Sequence, residues 1–268
     1  MKAEPGSTYT GNTMKIILPL LIGALFGLND AAQARSLDAI RESGTLGLCA
    51  HPNSLPFASK AGDPPGFQIE LGQALAHEFG VSLRPDWIIT QYQMRSAGCD
   101  IVLDVIADRE AQGETNLRIS KPYYRTGVAL AVLPASQLTS FKSLDGRTKV
   151  GVLVGSIAAM TLGQRHVPTS TFGFEIDSLD ALANHEIDAA AVTPTMASYY
   201  NLTHPDKAVR ILDPDDSVPN LTWNVAVGMV RPDDSLKDAV DQAMQRLSAD
   251  GTVARIYHRY GVTLQMPK

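Results

Sequence analysis

Asp104, Asp108 and Arg109 crowd together just after the apolar run Ile101-Val102-Leu103. Two carboxylates and a guanidinium at that spacing make either a polar patch able to grip a charged ligand or a solvated loop. A second group follows an earlier apolar run. His51 offers a pH-sensitive ligand or partner contact, or is a hydrogen-bonded loop histidine. Asn53 and Phe57 share its loop, and Phe57, after Pro56, reads more readily as a core plug than as a stacking ring. Gly155-Ser156 opens a predicted helix after a strand. Its free N–H groups suit an anion or a carbonyl, although a plain N-cap serine is the commoner case. Of Tyr123 and Tyr124, one is expected to pack and Tyr124 to line a hinge; Trp223 is hinge packing or a cleft wall. The six histidines show no grouped spacing, which gives a metal site little support. No nucleophile elbow, phosphate loop or paired-cysteine motif occurs, and no cofactor is expected.

These residues sit on alternating strand and helix signals. Ser36 caps a short helix that stops at Gly44, and a strand through Cys49 follows. Phe67, Leu71, Leu75 and Phe79 recur every four residues and predict a helix closing at Gly80. The runs "DIVLDVI", "GVALAVLP", "KVGVLVG", "IDAAAV" and "NVAVGMV" read as buried strands. "SLDALANHE" reads as a helix capped by Asp177 or Ser178. "TPTMASYYNL" reads as another, with Pro194 in its first turn. Leu236, Val240, Met244 and Leu247 mark one apolar face of a long helix. Such alternation predicts two α/β domains with parallel sheets and helices on both faces. "GVALAVL" and "WNVAVGMV" are the runs able to cross between them. Two crossings make a hinge and leave a central cleft at the carboxyl ends of the strands.

The first 34 residues read as a secretory signal peptide. Met14 and Lys15 precede the apolar run Ile16–Leu28, and Ala32-Gln33-Ala34 forms a cleavage site; Met14 could be the true start. The mature chain then has 234 residues (268 minus 34), room for two ordinary domains. With 44% hydrophobic and 19% charged residues it is a globular chain, expected to be monomeric in the periplasm. A net charge of −5 argues against a nucleic-acid partner. Cys49 and Cys99 are either a disulfide or two buried thiols. Neighbouring parallel strands could offset them by several positions, and a bridge needs Cα atoms within about 7 Å.

The order and spacing of "GTLGLCAHPNSLPFASKAGDPPGFQIELGQALAHEFG", "SKPYYRTGVALAVL", "KVGVLVGS", "IDAAAVTPTMASYY" and "VAVGMVRPDDSLKDAVDQAMQRLSADGTVARIYHRYG" resemble the bacterial periplasmic solute-binding proteins of family 3. The likeness runs from Leu37 to Val262. It implies the α/β periplasmic-binding-protein type II fold: lobe 1 from residues 35–131 and 226–268, lobe 2 from 132–225. The resemblance also implies ligand positions, and here the chain departs from it. The arginine that holds an amino acid's carboxylate would fall at Gln112 or Gly113. The aspartate for the ammonium would fall at Thr193, a stacking aromatic at Ser54, and a polar or cationic residue at Leu153. A buried ammonium or carboxylate without its partner costs several kcal/mol, so free amino acids are poorly matched to these positions.

"CAHPNSLPF", "CDIVLDV" and "PYYRTGVALAV" look more like the MoxJ-like branch associated with PQQ-dependent methanol and alcohol dehydrogenases. That likeness implies a non-catalytic accessory role in methanol oxidation, with a periplasmic quinoprotein dehydrogenase or cytochrome c as partner. The alternative is the substrate-binding protein of an ABC transporter, serving a permease with an amino acid or other small polar solute. A periplasmic dehydratase on the same fold, with Glu110 or Glu114 as proton donor, is disfavoured by the missing carboxylate clamp.

Overall fold

A computed structural model describes residues 35–108, 117–230 and 232–268. The signal peptide at 1–34, the clamp positions Gln112 and Gly113, and Arg109, Glu110 and Glu114 lie outside the described residues. Among the described residues no helix is long and apolar enough to cross a membrane.

The elements in chain order are α1 (Leu37–Ser43), β1 (Thr45–Ala50), β2 (Asn53–Ser54), β3 (Ala58–Ser59), α2 (Phe67–Phe79) and β4 (Ser82–Trp87). Then come α3 (Met94–Ala97), β5 (Ile101–Ile106), β6 (Leu117–Ile119), β7 (Tyr124–Gly127) and β8 (Ala129–Val132). The middle holds β9 (Val150–Leu153), α4 (Ile157–Gln164), β10 (Thr169–Phe172), α5 (Glu175–Ala183), β11 (Ala189–Val192) and α6 (Pro194–Thr203). The chain closes with β12 (Arg210–Leu212), β13 (Thr222–Val230), α7 (Asp234–Ala249) and α8 (Thr252–His258).

Local chemistry places most of these boundaries. The Ser36 hydroxyl accepts from the Ala39 N–H, and Gly44 and Gly80 turn left-handed to end α1 and α2. Pro194 opens α6 behind its Thr193 cap. One cap differs from expectation. Helix α5 begins at Glu175, before Asp177 and Ser178, and the Ser178 hydroxyl donates back to the Glu175 carbonyl from inside the helix.

Two sheets carry the fold. The first runs β4-β1-β5-β13-β6, with β7 also paired to β13; the second runs β10-β9-β11-β8-β12. Each is mixed, not purely parallel as the alternation predicts. Strands β4, β1 and β5 are parallel, as are β10, β9 and β11. Strand β13 runs antiparallel to β5, β6 and β7, and β8 runs antiparallel to β11 and β12. The antiparallel members are the strands next to the crossings, where the chain enters or leaves a sheet without a covering helix to reverse it.

The chain passes between sheets at Val128 and again between Leu212 and Thr222. The divisions at 131/132 and 225/226 fall within β8 and β13. The two passages touch. A Cβ on Gly127 would stand 2.1 Å from the Leu221 carbonyl oxygen, so only glycine lets the segments lie together. Gly127→Ala should therefore cost about 2–4 kcal/mol in urea unfolding; a change under 0.5 kcal/mol would mean that the crossing yields easily.

Separate apolar cores back the sheets. Ile40, Leu48, Phe67, Leu71, Met229 and Tyr257 anchor the first. Behind the second sheet, Leu130, Val152 and Leu162 fill one side, and Leu179, Ala190 and Tyr200 the other. Trp223 packs against the first core and against the Leu130 cluster, which makes it crossing packing.

Candidate functional site

A cavity of about 560 Å³ opens where the two sheets face each other. The loop after β1 supplies His51, Asn53, Ser54, Leu55 and Phe57; the second sheet and its helices supply Leu153, Phe174, Glu175, Ile176, Thr193 and Met196. It thus lies at the carboxyl ends of β1, β9 and β11, where an open α/β sheet presents its ligands.

The first wall is held by its backbone. The Asn53 N–H donates to His51 Nδ1 at 3.1 Å, which places the ring's proton on Nε2 in neutral histidine. Phe57 leans on Phe67, with ring centroids 5.0 Å apart, and also packs against the cluster around Leu179 and Tyr200. It is a plug that touches both lobes and still borders the cavity. Gly66 closes the loop at φ 93°, where a Cβ would sit 2.4 Å from the Phe57 carbonyl oxygen.

The opposite wall holds a carboxylate that sequence reasoning missed. Glu175 is the first residue of α5, and its oxygens accept from the Thr193 N–H and the Thr193 hydroxyl, both at 2.8 Å. Thr193 is itself the N-cap of α6, donating nothing else and accepting from the Met196 N–H at 3.2 Å. The carboxylate therefore lies between two helix N-termini, whose dipoles favour negative charge. Burial pushes its pKa up, and the two Thr193 hydrogen bonds oppose that rise. Its signal in the sequence was weak: an acidic residue opening a helix is ordinarily a helix-dipole partner.

The remaining expected site residues are dispersed. Asp104 faces the interior of the first lobe. Its Oδ1 accepts from the hydroxyls of Tyr257 (2.6 Å), Tyr123 (2.9 Å) and Tyr124 (3.1 Å), and its Oδ2 from Gln68 Nε2 (2.8 Å). A bulge sends it there. Between Val102 and Val105 strand β5 carries one residue more than its partner β13 does between Ala226 and Gly228, and Asp104 sits at φ 57°. Burial raises the Asp104 pKa against the opposing tyrosine and Gln68 hydrogen bonds. The three tyrosines are driven well above their ordinary range, by burial and then by the Asp104 charge. Tyr124 is thus a member of this cage. Asp108 is exposed, at the last described position before residue 109. Ser156 caps α4 by accepting from the Ala159 N–H, and Gly155 turns left-handed before it; neither lines the cavity.

Cys49 and Cys99 form a disulfide with Cα atoms 5.4 Å apart. The register pairs Cys49 with Val102, so the strands do offset the two cysteines. Gly98, left-handed at the end of α3, turns Cys99 back over Cys49. A smaller apolar recess of about 280 Å³ lies over this bridge, lined by Ile88, Met94, Val102 and His51.

Two lobes, each with its own core, joined by two crossings around a cavity at the strand ends, define the periplasmic-binding-protein type II fold. The chain belongs to the bacterial extracellular solute-binding proteins, family 3, whose family model matches residues 45–263. The probable amino-acid-binding protein YxeM of Bacillus subtilis is 25% identical over 264 residues, covering 92% of this chain and 95% of that protein. An ancestral cationic amino acid solute-binding protein superposes with a TM-score of 0.72 at 23% identity, over 84% of this chain and 99% of that one. An amino acid ABC transporter substrate-binding protein from Streptococcus pneumoniae, bound to L-arginine, gives 0.66 at 20% identity, over 86% and 98%.

Proposed function

We propose that the chain is the non-catalytic substrate-binding protein of an ABC-type importer, working in the periplasm and handing a small solute to a membrane permease. The observation that carries this reading is one cavity walled from both lobes, with Phe57 touching both. A solute held between the two walls would draw the lobes together about the crossings at Gly127 and Leu221, the hinge closure that such geometry permits. The family match and the amino-acid-binding relative support transport over a partnership with a quinoprotein dehydrogenase. Nothing in these likenesses points to methanol oxidation.

In native mass spectrometry of the protein recovered from its own periplasm, a small-molecule adduct that disappears on partial unfolding is the expected result. A stable complex with a quinoprotein dehydrogenase or cytochrome c, and no small adduct, would overturn the transport reading in favour of the accessory one.

A further inference from the structure

We infer that the cavity selects an organic cation with an apolar body and no carboxylate group, and that Glu175 is the residue that recognises the cation. This deepens the transport reading and rests on it.

The described walls of the cavity carry one sign of fixed charge. Among the described residues Glu175 is the one acidic side chain lining the cavity, and no lysine or arginine lines it. The Thr193 N–H and hydroxyl each occupy one lone-pair site on a different Glu175 oxygen. A carboxylate has about four such sites, so acceptor capacity remains for two or more further donors. No ion pair to Glu175 exists among the described residues, although other acids of the chain do have cationic partners, as Asp100 has Arg35 and Glu70 has Arg259. A half-buried carboxylate beside a cavity, held in place by an N–H and a hydroxyl but not neutralised, is suited to a cationic donor from outside.

The rest of the wall sets the body of the ligand. Leu55, Phe57, Leu153, Phe174, Ile176 and Met196 are apolar, and the cavity is of the size that holds a small organic molecule. His51, Asn53 and Ser54 can supply hydrogen bonds at the opposite side, but a ligand carboxylate would meet no fixed cation among the described lining residues. Against the described lining residues a zwitterion would bury one charge well and the other badly. An amine would bury only the charge that has a partner. The net charge of −5 favours the approach of cations as well.

The test pairs 2-phenylethylamine with L-phenylalanine, which share an aromatic body and an ammonium and differ by the carboxylate. Isothermal titration on ligand-free protein should show the amine binding roughly tenfold or more tightly than the amino acid. Glu175→Gln keeps an acceptor for Thr193 but removes the charge, and should weaken the amine by roughly 10- to 100-fold while leaving thermal unfolding unchanged. Asp177→Asn, an exposed acid on the same helix, should leave affinity unchanged. Equal or tighter binding of phenylalanine, or amine affinity indifferent to Glu175→Gln, would overturn the inference. A parallel thermal-shift screen of amines, amino acids, organic acids and sugars separates the two levels of the reading. Hits confined to zwitterions, anions or neutral solutes would sink the amine class and leave the receptor standing. No hit in any class, with no adduct on the native protein, would sink both.

Discussion

Replacing Cys49 and Cys99 together by alanine is expected to lower the midpoint of thermal unfolding by roughly 8–16 °C. The bridge closes a loop with a sequence separation of 50. Chain-entropy reasoning gives about 4 kcal/mol for a loop of that size. A chain of this length shifts about 2–4 °C per kcal/mol. Alanine is the right replacement because both sulfurs are buried, and serine would add two hydroxyls that need partners. Reductant should reproduce most of the loss in the unsubstituted protein and do nothing further to the double variant. The readout is a calorimetric scan of both proteins with and without reductant. Equal midpoints would mean that the neighbouring contacts of Met94, Val102 and Leu117 hold this edge without the bridge. The same logic ties the fold to an oxidising compartment, where such a bridge persists.

Asp104→Ala should be nearly as damaging, while Asp104→Asn should be harmless or stabilising. Alanine strips the acceptor from three tyrosine hydroxyls and the Gln68 amide at once. Each buried donor left unsatisfied costs about 1–3 kcal/mol, softened where a hydroxyl can turn to a neighbour, as Tyr123 can to Tyr257 at 3.3 Å. Alanine also tolerates the left-handed φ of 57° less well than aspartate, by about 1 kcal/mol. A total of about 3–5 kcal/mol is expected in urea unfolding. Asparagine keeps one oxygen for the tyrosines, presents its amide to Gln68 turned about its own axis, and accepts the left-handed backbone readily.

The asparagine variant carries the pH signature. Burial raises the folded-state pKa of Asp104 above its ordinary value of 3.8, so the folded protein favours the neutral acid. That contribution is fully present below 3.8 and is lost as pH rises through the raised folded value. Asparagine imitates the neutral acid at every pH. The stability advantage of Asp104→Asn should therefore be small near pH 4, grow as pH rises through the folded pKa, and then stay level. Parallel denaturation curves across that range measure it. An advantage that shrinks with rising pH would mean that the tyrosine hydroxyls stabilise the charge by more than burial penalises it.

The two cases show where local reasoning stops. Residues within a turn of each other were legible. The Ser36 cap, the Gly44 and Gly80 stops, Pro194 at the start of α6 and the apolar faces of α2 and α7 all follow from side chains and backbone groups a few positions apart. The alternation of strand and helix was legible for the same reason, and with it the two lobes and the place of a cleft. His51 and Thr193 line the cavity directly after β1 and β11, and Asn53, Ser54 and Phe57 line it from the segment that follows β1, so the strand ends set where these residues lie. The antiparallel pairing beside the crossings was not legible, because strand direction depends on which neighbour the chain meets after leaving a sheet.

By itself, then, the sequence determined most of the element boundaries and the two-lobed α/β architecture. Only the tertiary structure decided where the chemistry points. One extra residue in β5 turns Asp104 into a tyrosine cage; a left-handed Gly98 brings Cys99 over Cys49; and the meeting of two helix N-termini sets Glu175 on Thr193. Each outcome depends on register or on the approach of segments from 18 to 153 residues apart. Short-range rules of capping and periodicity carry no information over such separations, where loop closure and packing alone select the partner.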